Sequence, residues 1–426
     1  LDERHEAKLV AEWLMALGHE QGLAWREMAV FYRTNALSRV MEDELRTKGI
    51  PYVIARGTAF YEREEVRNAI AYLRVIANPA DDVSLLRIIN TPSRGIGATS
   101  LKQLVARAQR QRRPLMEVLR DPESMEGVTP RTTAAIRRFT TMLDGWTASG
   151  TFMGRSVTTS LRRLTETAIR ESGLEKMYAD RAKKTEADAD ESRVENLNEL
   201  ITSTAQFEAE FDPDSDPVSF PGGEAIERGE RAEVPPLLAM LRAYLEAVSL
   251  VADADRVDPE QGAVTLMTLH AAKGLEFPAV AIIGCEEGIL PHSRSRESDE
   301  HLEEERRLCF VGMTRAMHRL LMTTARTRPF RGAIERQMES QFLRELDPEH
   351  IVVVDRAGDE FVSDLAPEVG GLSIGSVVRH PQFGLGRVEW LQSGRNARAR
   401  IDFRGIGVKT LVLEYARLEV VEIFDD

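Results

Sequence analysis

The sequence predicts an α/β protein in which a parallel sheet is split by an inserted, mainly helical domain and followed by a small C-terminal β-barrel. Strand-like runs alternate with helical segments at both ends of the main body, a pattern typical of a parallel sheet covered by helices. Between them, residues 79–262 have almost wholly helical periodicity. Residues 372–426 contain short alternating strands separated by glycine-bearing turns, which favours a small barrel.

The first part of the predicted sheet lies in residues 1–78. A helical pattern begins at Leu1, and the apolar run from Met28 to Tyr32 is typical of a buried strand. A polar turn follows, and then a helix up to about Lys48, because apolar residues return there at helical spacing. Strand, turn and helix in this order predict one repeat of a parallel sheet.

The inserted helical domain is predicted to occupy residues 79–262. Val194, Leu197 and Ile201 form one of its apolar stripes at helical spacing. Residues 211–236 are dense in proline, glycine, aspartate and glutamate and poor in apolar residues, so we predict a mobile loop there.

The sheet is predicted to resume in residues 263–346. Two strand-like runs, a helix and a further strand follow one another, as Val264–Leu269, Ala279–Gly284, Leu302–Met317 and Leu320–Thr324. A linker-like stretch, residues 347–371, leads to the tail. Between residues 372 and 419 there are eight basic and four acidic residues, so the predicted barrel is locally basic.

Composition limits the kinds of function. The chain has 56 Lys and Arg against 69 Asp and Glu, a formal net charge of -13, so any nucleic-acid contact must come from local patches. Its apolar runs are too short to span a membrane. The two cysteines have no CxxC or Cys/His spacing, so we expect neither a disulfide nor a metal site, and a reducing compartment.

Three segments contain residues suited to binding phosphate or nucleic acid. The first, AVFYRTNALSR, places Arg33 after a predicted strand, at the sheet edge where α/β proteins bind ligands. An arginine there can donate two parallel hydrogen bonds to phosphate oxygens. The alternative is an ion pair with a helix carboxylate such as Glu44, and this segment alone does not decide between the two.

The second segment, VTLMTLHAAKGLEF, is an alternating strand that runs directly into His270 and a turn of small residues. Gly274 and its neighbours let the backbone approach a ligand, and Glu276 lies just beyond. Such a turn can present backbone amides to a nucleic-acid phosphate and a carboxylate to a nucleotide. For His270 considered alone, a structural role is the favoured interpretation.

The third segment, LEEERRLCFVGMTRAMHRL, is predicted to be a helix with one continuous stripe. The stripe consists of Glu304, Leu308, Val311, Gly312 and Arg315. A charge on such a largely apolar face needs a partner. Both a glutamate of the same helix and a nucleotide γ-phosphate across an interface would serve, and helical spacing alone slightly favours the glutamate.

Together and in this order, the three segments resemble the motifs of the second RecA-like domain of superfamily 1A helicases of the UvrD, PcrA and Rep group. The matching strings are YRTNA, TLHAAKGLEF and EEERRLCFVGMTRA. RIINTPSRGIGATSL and RVENLNEL are similar to the inserted accessory domain of that group, and the tail is similar to its Tudor-like domain. The resemblance covers nearly the whole chain and implies a RecA-like sheet split by an accessory domain.

The resemblance implies nucleotide-binding roles for four residues. Arg33 and Arg315 would contact the γ-phosphate of ATP bound between two RecA-like domains, acting as arginine fingers on the developing charge. Gly274 would lie close to the nucleotide, and Glu276 would contact its sugar side.

The resemblance also implies contacts to DNA. Thr268 and His270 would line the path of single-stranded DNA. A tight turn would offer backbone amides to duplex phosphates, with an ordinary helix-joining turn as the alternative; it consists of Arg94, Gly95, Ile96 and Gly97. The segment GTAFYEREEV would bring Phe60 and Arg63 near DNA, although Arg56 stands where a second glycine is expected.

Neither a GxxxxGK[ST] phosphate loop nor a DExx run after an apolar strand occurs in the sequence. ATP and Mg²⁺ would therefore be held mainly by another RecA-like half, and the chain alone is expected not to hydrolyse ATP. Its start at Leu1 rather than methionine favours the C-terminal portion of an ATP-dependent 3′-to-5′ DNA helicase. The alternative is a motor-less module that binds DNA or RNA polymerase.

The resemblance implies several partners and a cellular setting. Single-stranded and duplex DNA are the expected ligands, RNA polymerase would bind through the tail barrel, and other repair proteins would be further partners. We expect a role in DNA repair, in the cytoplasm and associated with the nucleoid.

Overall fold

The computed structural model of the chain consists of two compact units, Leu1–Ile351 and Val352–Asp426. The residues described in the first unit are 2–55, 57–121, 127–152, 158–185, 188–211, 235–253 and 262–351. Those described in the second unit are 352–355, 377–380, 384–392, 398–403, 407–412 and 419–420. The loop and the linker that the sequence predicts, residues 211–236 and 347–371, fall largely outside the described residues.

A five-stranded parallel sheet runs through the first unit in the order β2-β3-β1-β4-β5. Its strands are β1 (Met28–Tyr32), β2 (Tyr52–Ile54), β3 (Val264–Thr268), β4 (Phe277–Ile282) and β5 (Ala316–Met322). β1 lies in the centre, with Ala29 opposite Thr265 on one side and Val280 on the other. The predicted α/β class and parallel sheet are confirmed, and the architecture fits a RecA-like domain.

Helices account for most of the remaining described residues. They are α1 (Glu3–Gln21), α2 (Ser38–Thr47), α3 (Glu64–Ala77), α4 (Asp82–Ile88), α5 (Ala98–Gln111), α6 (Leu115–Arg120), α7 (Pro130–Thr147), α8 (Leu161–Glu171), α9 (Leu174–Thr185), α10 (Asp188–Glu210), α11 (Pro236–Asp253), α12 (Asp299–Met313) and α13 (Gln341–Arg344). None of those described is both long and apolar enough to cross a membrane.

The two faces of the sheet are covered by different elements. α1 and α2 pack on the face that carries Val30 and Tyr32, whereas α12 packs on the face of Ala29 and Phe31. All residues of β1 are therefore buried, which explains why the strand is a continuous apolar run rather than an alternating one.

The helix of the third segment ends earlier than the sequence predicts. The expected helix extends to Met317 and the expected strand begins at Leu320, whereas α12 has already ended before Ala316, where β5 begins. The physical reason is sheet pairing, because the Phe277 amide donates to the carbonyl of Arg315 at 2.9 Å. Pairing of β5 with β4 therefore ends the helix, although helical spacing continues in the sequence.

Helices α3 to α11 pack around a hydrophobic core of their own. Tyr72, Phe139 and Tyr178 are among its largest fully buried side chains. α3 precedes the expected boundary at residue 78, yet Tyr72 and Ile70 belong to this core. The division of the chain into domains stays a prediction.

A polar interface joins the helical core to the elements around the sheet. One side of α10 packs in the helical core through Leu197. Its other side carries Glu199, which pairs with Arg39 of α2, and Asn196, which accepts a hydrogen bond from Arg63 at 2.9 Å. The polar face of α10 thus serves as an interior contact and not as a solvated surface.

An antiparallel hairpin makes a further contact with the helical core. It consists of β6 (Thr327–Phe330) and β7 (Ala333–Arg336). Gly332 at its tip has a φ of 77°, a left-handed conformation that favours glycine. The neighbouring Arg331 pairs with Glu175 of α9, so the tip is held by an ion pair.

Buried charges lie where α1, the residues after β4 and the hairpin meet. Arg328 donates to Glu286 at 2.6 Å and to Glu6 at 2.5 Å. Burial raises the pKa of Glu286, although Arg328 opposes this rise. Glu3 lies nearby, where burial and the carboxylate of Glu199 raise its pKa to about 7.

The described strands of the second unit form an antiparallel sheet in the order β11-β10-β9-β8-β12. They are β8 (Val377–His380), β9 (Gly384–Gln392), β10 (Arg398–Phe403), β11 (Gly407–Val412) and β12 (Glu419–Val420). The closure of this sheet into a barrel stays a prediction.

Candidate functional site

Arg33 lies directly after the central strand β1, and its side chain is paired with α12. Its Nε donates to both oxygens of Glu305, at 2.9 and 3.0 Å, and its Nη2 lies 2.8 Å from Oε1. Glu305 also accepts a hydrogen bond from the amide of His292 at 3.0 Å. Of the two alternatives for Arg33, the structure contains the carboxylate pair, but the partner is Glu305 and not Glu44.

Glu305 is a site residue that the sequence analysis missed. The expected stripe of α12 contains Glu304, which is exposed and paired with Arg307. The buried stripe contains Glu305, Cys309 and Gly312 instead. Both stripes have helical spacing. The run of glutamates was the only indication in the sequence that a glutamate is buried here, and it did not distinguish Glu305 from its neighbours.

Residues 269–276 connect β3 to β4 and run back along one face of the sheet. β3 ends at Thr268, level with Tyr32 at the carboxyl end of β1. β4 begins at Phe277, before the position that pairs with Met28 at the amino end of β1. This connection, which contains turns and no helix, therefore joins the two edges of the sheet.

The residues predicted to contact single-stranded DNA lie at the end of β3 and at the start of the connection. The carbonyl of Thr268 accepts hydrogen bonds from the amides of Ala271 and Ala272 at 2.9 and 3.2 Å, which closes a tight turn. His270 is exposed on this turn, whereas Leu269 beside it is fully buried. This turn lies at the carboxyl edge of the sheet.

The end of the connection lies beside Arg315. Nε of Arg315 donates to the carbonyl of Val311 at 3.1 Å, and Nη1 donates to that of Leu275 at 3.4 Å. Nη1 also lies 3.9 Å from the exposed carboxylate of Glu276. Gly274 has a φ of 86° and open space where a Cβ would lie, so its conformation is what requires glycine. Three of the predicted nucleotide contacts thus lie together.

Arg33 and Arg315 lie at opposite edges of the sheet, because Arg33 follows β1 and Arg315 precedes β5. α12 links them, since Glu305 holds Arg33 and Val311 holds Arg315. The helix rises by about 9 Å between those two positions. The structure brings Arg315 and Glu276 together and places Arg33 in a separate cluster.

Gly312 lets α12 lie directly on the start of the connection. A Cβ at this position would lie 2.4 Å from Cδ2 of Leu269 and 3.3 Å from Cδ1 of Ile282. Leu269, beside His270, is therefore in close contact with the end of the helix that leads to Arg315.

The turn predicted to contact duplex DNA lies between α4 and α5. The guanidinium of Arg94 points inward, where it donates to main-chain carbonyls before the turn, the closest at 2.9 Å, and lies 5.0 Å from the ring centre of Phe139. Ile96 is also buried, whereas Gly95 and Gly97 are exposed. Two side chains therefore anchor the turn, and its glycines present backbone to solvent.

Phe60 and Arg63, expected near DNA, face the interior. Phe60 is fully buried in the helical core. Arg63 is 7% exposed and donates to the carbonyl of Asn35, the side chain of Asn196 and the hydroxyl of Ser38, at 2.8, 2.9 and 2.7 Å. Both side chains are thus used to hold α3 against its neighbours. They are buried, so the prediction that they contact DNA is corrected.

ATP with Mg²⁺ is the cofactor implied by the resemblance. A cation, an exposed carboxylate and open backbone fit its phosphate and sugar groups, and they are supplied by Arg315, Glu276 and Gly274. In the part of the chain that the structure describes, no group of His, Cys, Asp or Glu could hold a metal ion. We assign no residue of this chain to Mg²⁺.

Residues 1–327 match the family of UvrD-like helicase C-terminal domains. The chain is 36% identical over 429 residues to DNA helicase II of Salmonella typhimurium, which covers 99% of this chain and 55% of that protein. It is 37% identical over 443 residues to the ATP-dependent DNA helicase UvrD1 of Mycobacterium bovis, covering 97% and 54%.

A third relative is the ATP-dependent DNA helicase PcrA of Leuconostoc citreum, which is 35% identical over 347 residues, covering 82% of this chain and 42% of the relative. The chain spans about half the length of the curated relatives it matches. The ordered motifs, the parallel sheet and these matches show that the chain belongs to the family of UvrD-like helicase C-terminal domains.

Proposed function

We propose that this chain is the C-terminal portion of an ATP-dependent 3′-to-5′ DNA helicase and supplies arginine fingers to ATP held by a preceding RecA-like half. The pair formed by Arg315 and Glu276 carries the proposal. Main-chain oxygens position Arg315, and its only described carboxylate neighbour is exposed and 3.9 Å away. A guanidinium held in this way is preorganised for the charge that develops in phosphoryl transfer.

Arg33 would enter the nucleotide site by exchanging a carboxylate for phosphate. Glu305 accepts from Arg33 through both of its oxygens, and arginine binds phosphate in a similar two-bond geometry. Glu305 is buried, so this exchange would have to be accompanied by a shift of α12. ATP binding would thereby affect α12, the helix that positions Arg315.

The connection of residues 269–276 is the proposed coupling between DNA and ATP. Thr268 at the end of β3 and His270 at the start of the connection would contact single-stranded DNA, and the last residues of the connection would contact the nucleotide. A segment this short has little freedom to absorb displacement, and Gly312 packs it against α12. Movement of the strand would therefore be linked to the nucleotide state.

The turn between α4 and α5 is the proposed contact with duplex DNA. Gly95 and Gly97 expose the backbone there, so amide groups can approach phosphates without hindrance from side chains. Arg94 acts in this proposal as an anchor, because its donors are used within the chain. The contact would be independent of DNA sequence.

The experiment compares this chain with the full-length protein that contains it. We expect the full-length protein to hydrolyse ATP with single-stranded DNA and to unwind a duplex with a 3′ tail but not one with a 5′ tail. The 426-residue chain alone should do neither, because it contains no phosphate loop. Unwinding from the 5′ tail would contradict the polarity, and a full-length protein without ATPase activity would instead support the motor-less module.

The tail is proposed to bind a partner protein such as RNA polymerase, and DNA repair is the proposed cellular role. Residues 372–419 are basic in an otherwise acidic chain, which favours an acidic partner surface. Tagged full-length protein should capture RNA polymerase, and deletion of residues 372–426 should abolish the capture. Equal capture after the deletion would assign the contact to another part of the protein.

A further inference from the structure

Basic charge is concentrated in one stretch of the helical region. Residues 83–165 contain fourteen Arg and Lys against five Asp and Glu, a net charge of +9 in a chain whose net charge is -13. From residue 83 to residue 116 there is no acidic residue in the sequence. Segregation of this kind is the electrostatic footprint of a surface that binds nucleic acid.

α5 carries part of this charge on its solvent side. Leu104 and Ala108 of α5 pack into the helical core, and Lys102 and Arg110 are exposed on the opposite side. Arg112, also exposed, ends the helix with a φ of 51°, a conformation that favours glycine or asparagine. The exposed basic residues Lys102 and Arg110 of α5 and Arg112 at its end are together called here the α5 track.

The charges of the α5 track are not compensated by described carboxylates. Within the described ranges, no carboxylate is paired with Lys102, Arg110 or Arg112. The adjacent Arg113, in contrast, is paired with Glu117 at 3.2 Å. The track therefore presents positive charge to solvent directly beside residues whose charge is neutralised within the chain.

We infer that the α5 track binds the phosphate backbone of duplex DNA as a continuation of the turn at Gly95 and Gly97. The inference rests on the proposed function, because that turn is the proposed duplex contact. Lys102 and Arg110 are about 12 Å apart along the helix, which corresponds to three or four phosphates of one strand. α5 starts at the turn, so the track leads away from it along the same helix.

Duplex DNA fits the α5 track better than single-stranded DNA does. Single-stranded sites combine positive charge with aromatic side chains on which bases stack. Residues 98–113 contain no aromatic residue, and the solvent side of α5 carries only small, amide and basic side chains. Such a surface can neutralise phosphates but offers nothing to unstacked bases.

The test uses the full-length protein with the three charges of the track neutralised, as Lys102→Gln, Arg110→Gln and Arg112→Gln together. Binding of a fluorescent blunt duplex is measured by anisotropy at several salt concentrations. The slope of log K against log salt is negative and should become shallower by about 2 to 3, because each phosphate contact contributes about 0.9 to its magnitude. Binding of a single strand and ATP hydrolysis stimulated by it should not change.

A control variant carries the same change in charge on α9 and α11, as Lys176→Gln, Lys183→Gln and Arg242→Gln, all exposed residues. It should keep the wild-type slope. If the slope became equally shallow in both variants, or if the α5 variant kept the wild-type slope, the inference would be overturned. If the wild-type protein binds and unwinds tailed DNA but has no affinity for a blunt duplex, the inference and the proposed turn contact fail while the proposed motor function stands.

Discussion

Replacement of Arg315 by alanine in the full-length protein is expected to lower ATP hydrolysis stimulated by single-stranded DNA by about 10³-fold or more. The guanidinium is the proposed source of positive charge at the γ-phosphate. Its contacts within the chain include two main-chain carbonyls and the exposed Glu276, so alanine leaves no buried charge without a partner and folding should be retained. Steady-state ATP hydrolysis at saturating DNA is the measurement.

Two variants sharpen this prediction. Arg307→Ala is the matched control, because Arg307 lies on α12 but its side chain is 70% exposed and pairs with Glu304. It should hydrolyse ATP at the wild-type rate. Arg315→Lys should recover little activity, since an ammonium lacks the planar fork of donors. Wild-type turnover in Arg315→Ala would exclude Arg315 as a finger.

The second finger, Arg33, requires a different control. Arg33→Ala should lower ATP hydrolysis by a similar order, about 10³-fold, but it also leaves Glu305 buried without its cation. The double variant Arg33→Ala with Glu305→Gln removes that charge. Its melting temperature should recover while ATP hydrolysis should not. Recovery of both would mean that Arg33 only stabilises the fold.

Replacement of Arg328 by alanine is expected to lower the free energy of unfolding by about 3–5 kcal/mol. Arg328 is 6% exposed, and its guanidinium binds Glu286, which is fully buried, and Glu6, which is 7% exposed. Loss of the cation leaves two carboxylates in an interior that solvates them poorly. Urea denaturation of the 426-residue chain, followed by circular dichroism, measures the change.

The loss of stability in Arg328→Ala should depend on pH. Burial already raises the pKa of Glu286, and removal of the cation raises it further. A carboxyl group whose pKa is higher in the folded state loses stability as pH rises from its unfolded value, about 4.3, through its folded value. The deficit relative to wild type should therefore be largest near pH 8 and shrink towards pH 5.

The control for Arg328 removes the cation together with one of its two carboxylate partners. Arg328→Ala with Glu286→Gln keeps the same truncation but leaves only Glu6 of the two carboxylates, so its deficit should be smaller and should depend less on pH. A deficit of the same size in the single and the double variant, unchanged between pH 5 and pH 8, would show that packing rather than charge determines the loss.

Local patterns predicted several features of this chain correctly. The apolar run of β1 and the alternating run of β3 are visible in the sequence, and both are strands of the observed sheet. The face of α12 was not predictable in the same way. Glu304 and Glu305 fit helical spacing equally well. Glu305 is the buried one because it pairs with Arg33, which is 272 positions away in the chain.

The sequence by itself determined the parallel α/β class and the membership of a helicase family, because periodicity and motif strings are local properties of the chain. Only the tertiary structure decided that Phe60 and Arg63 lie in the interior, that Arg33 is paired with Glu305, and that Arg33 and Arg315 lie at opposite edges of the sheet. Burial and ion pairing depend on which distant segments meet, and spacing along the chain does not contain that information.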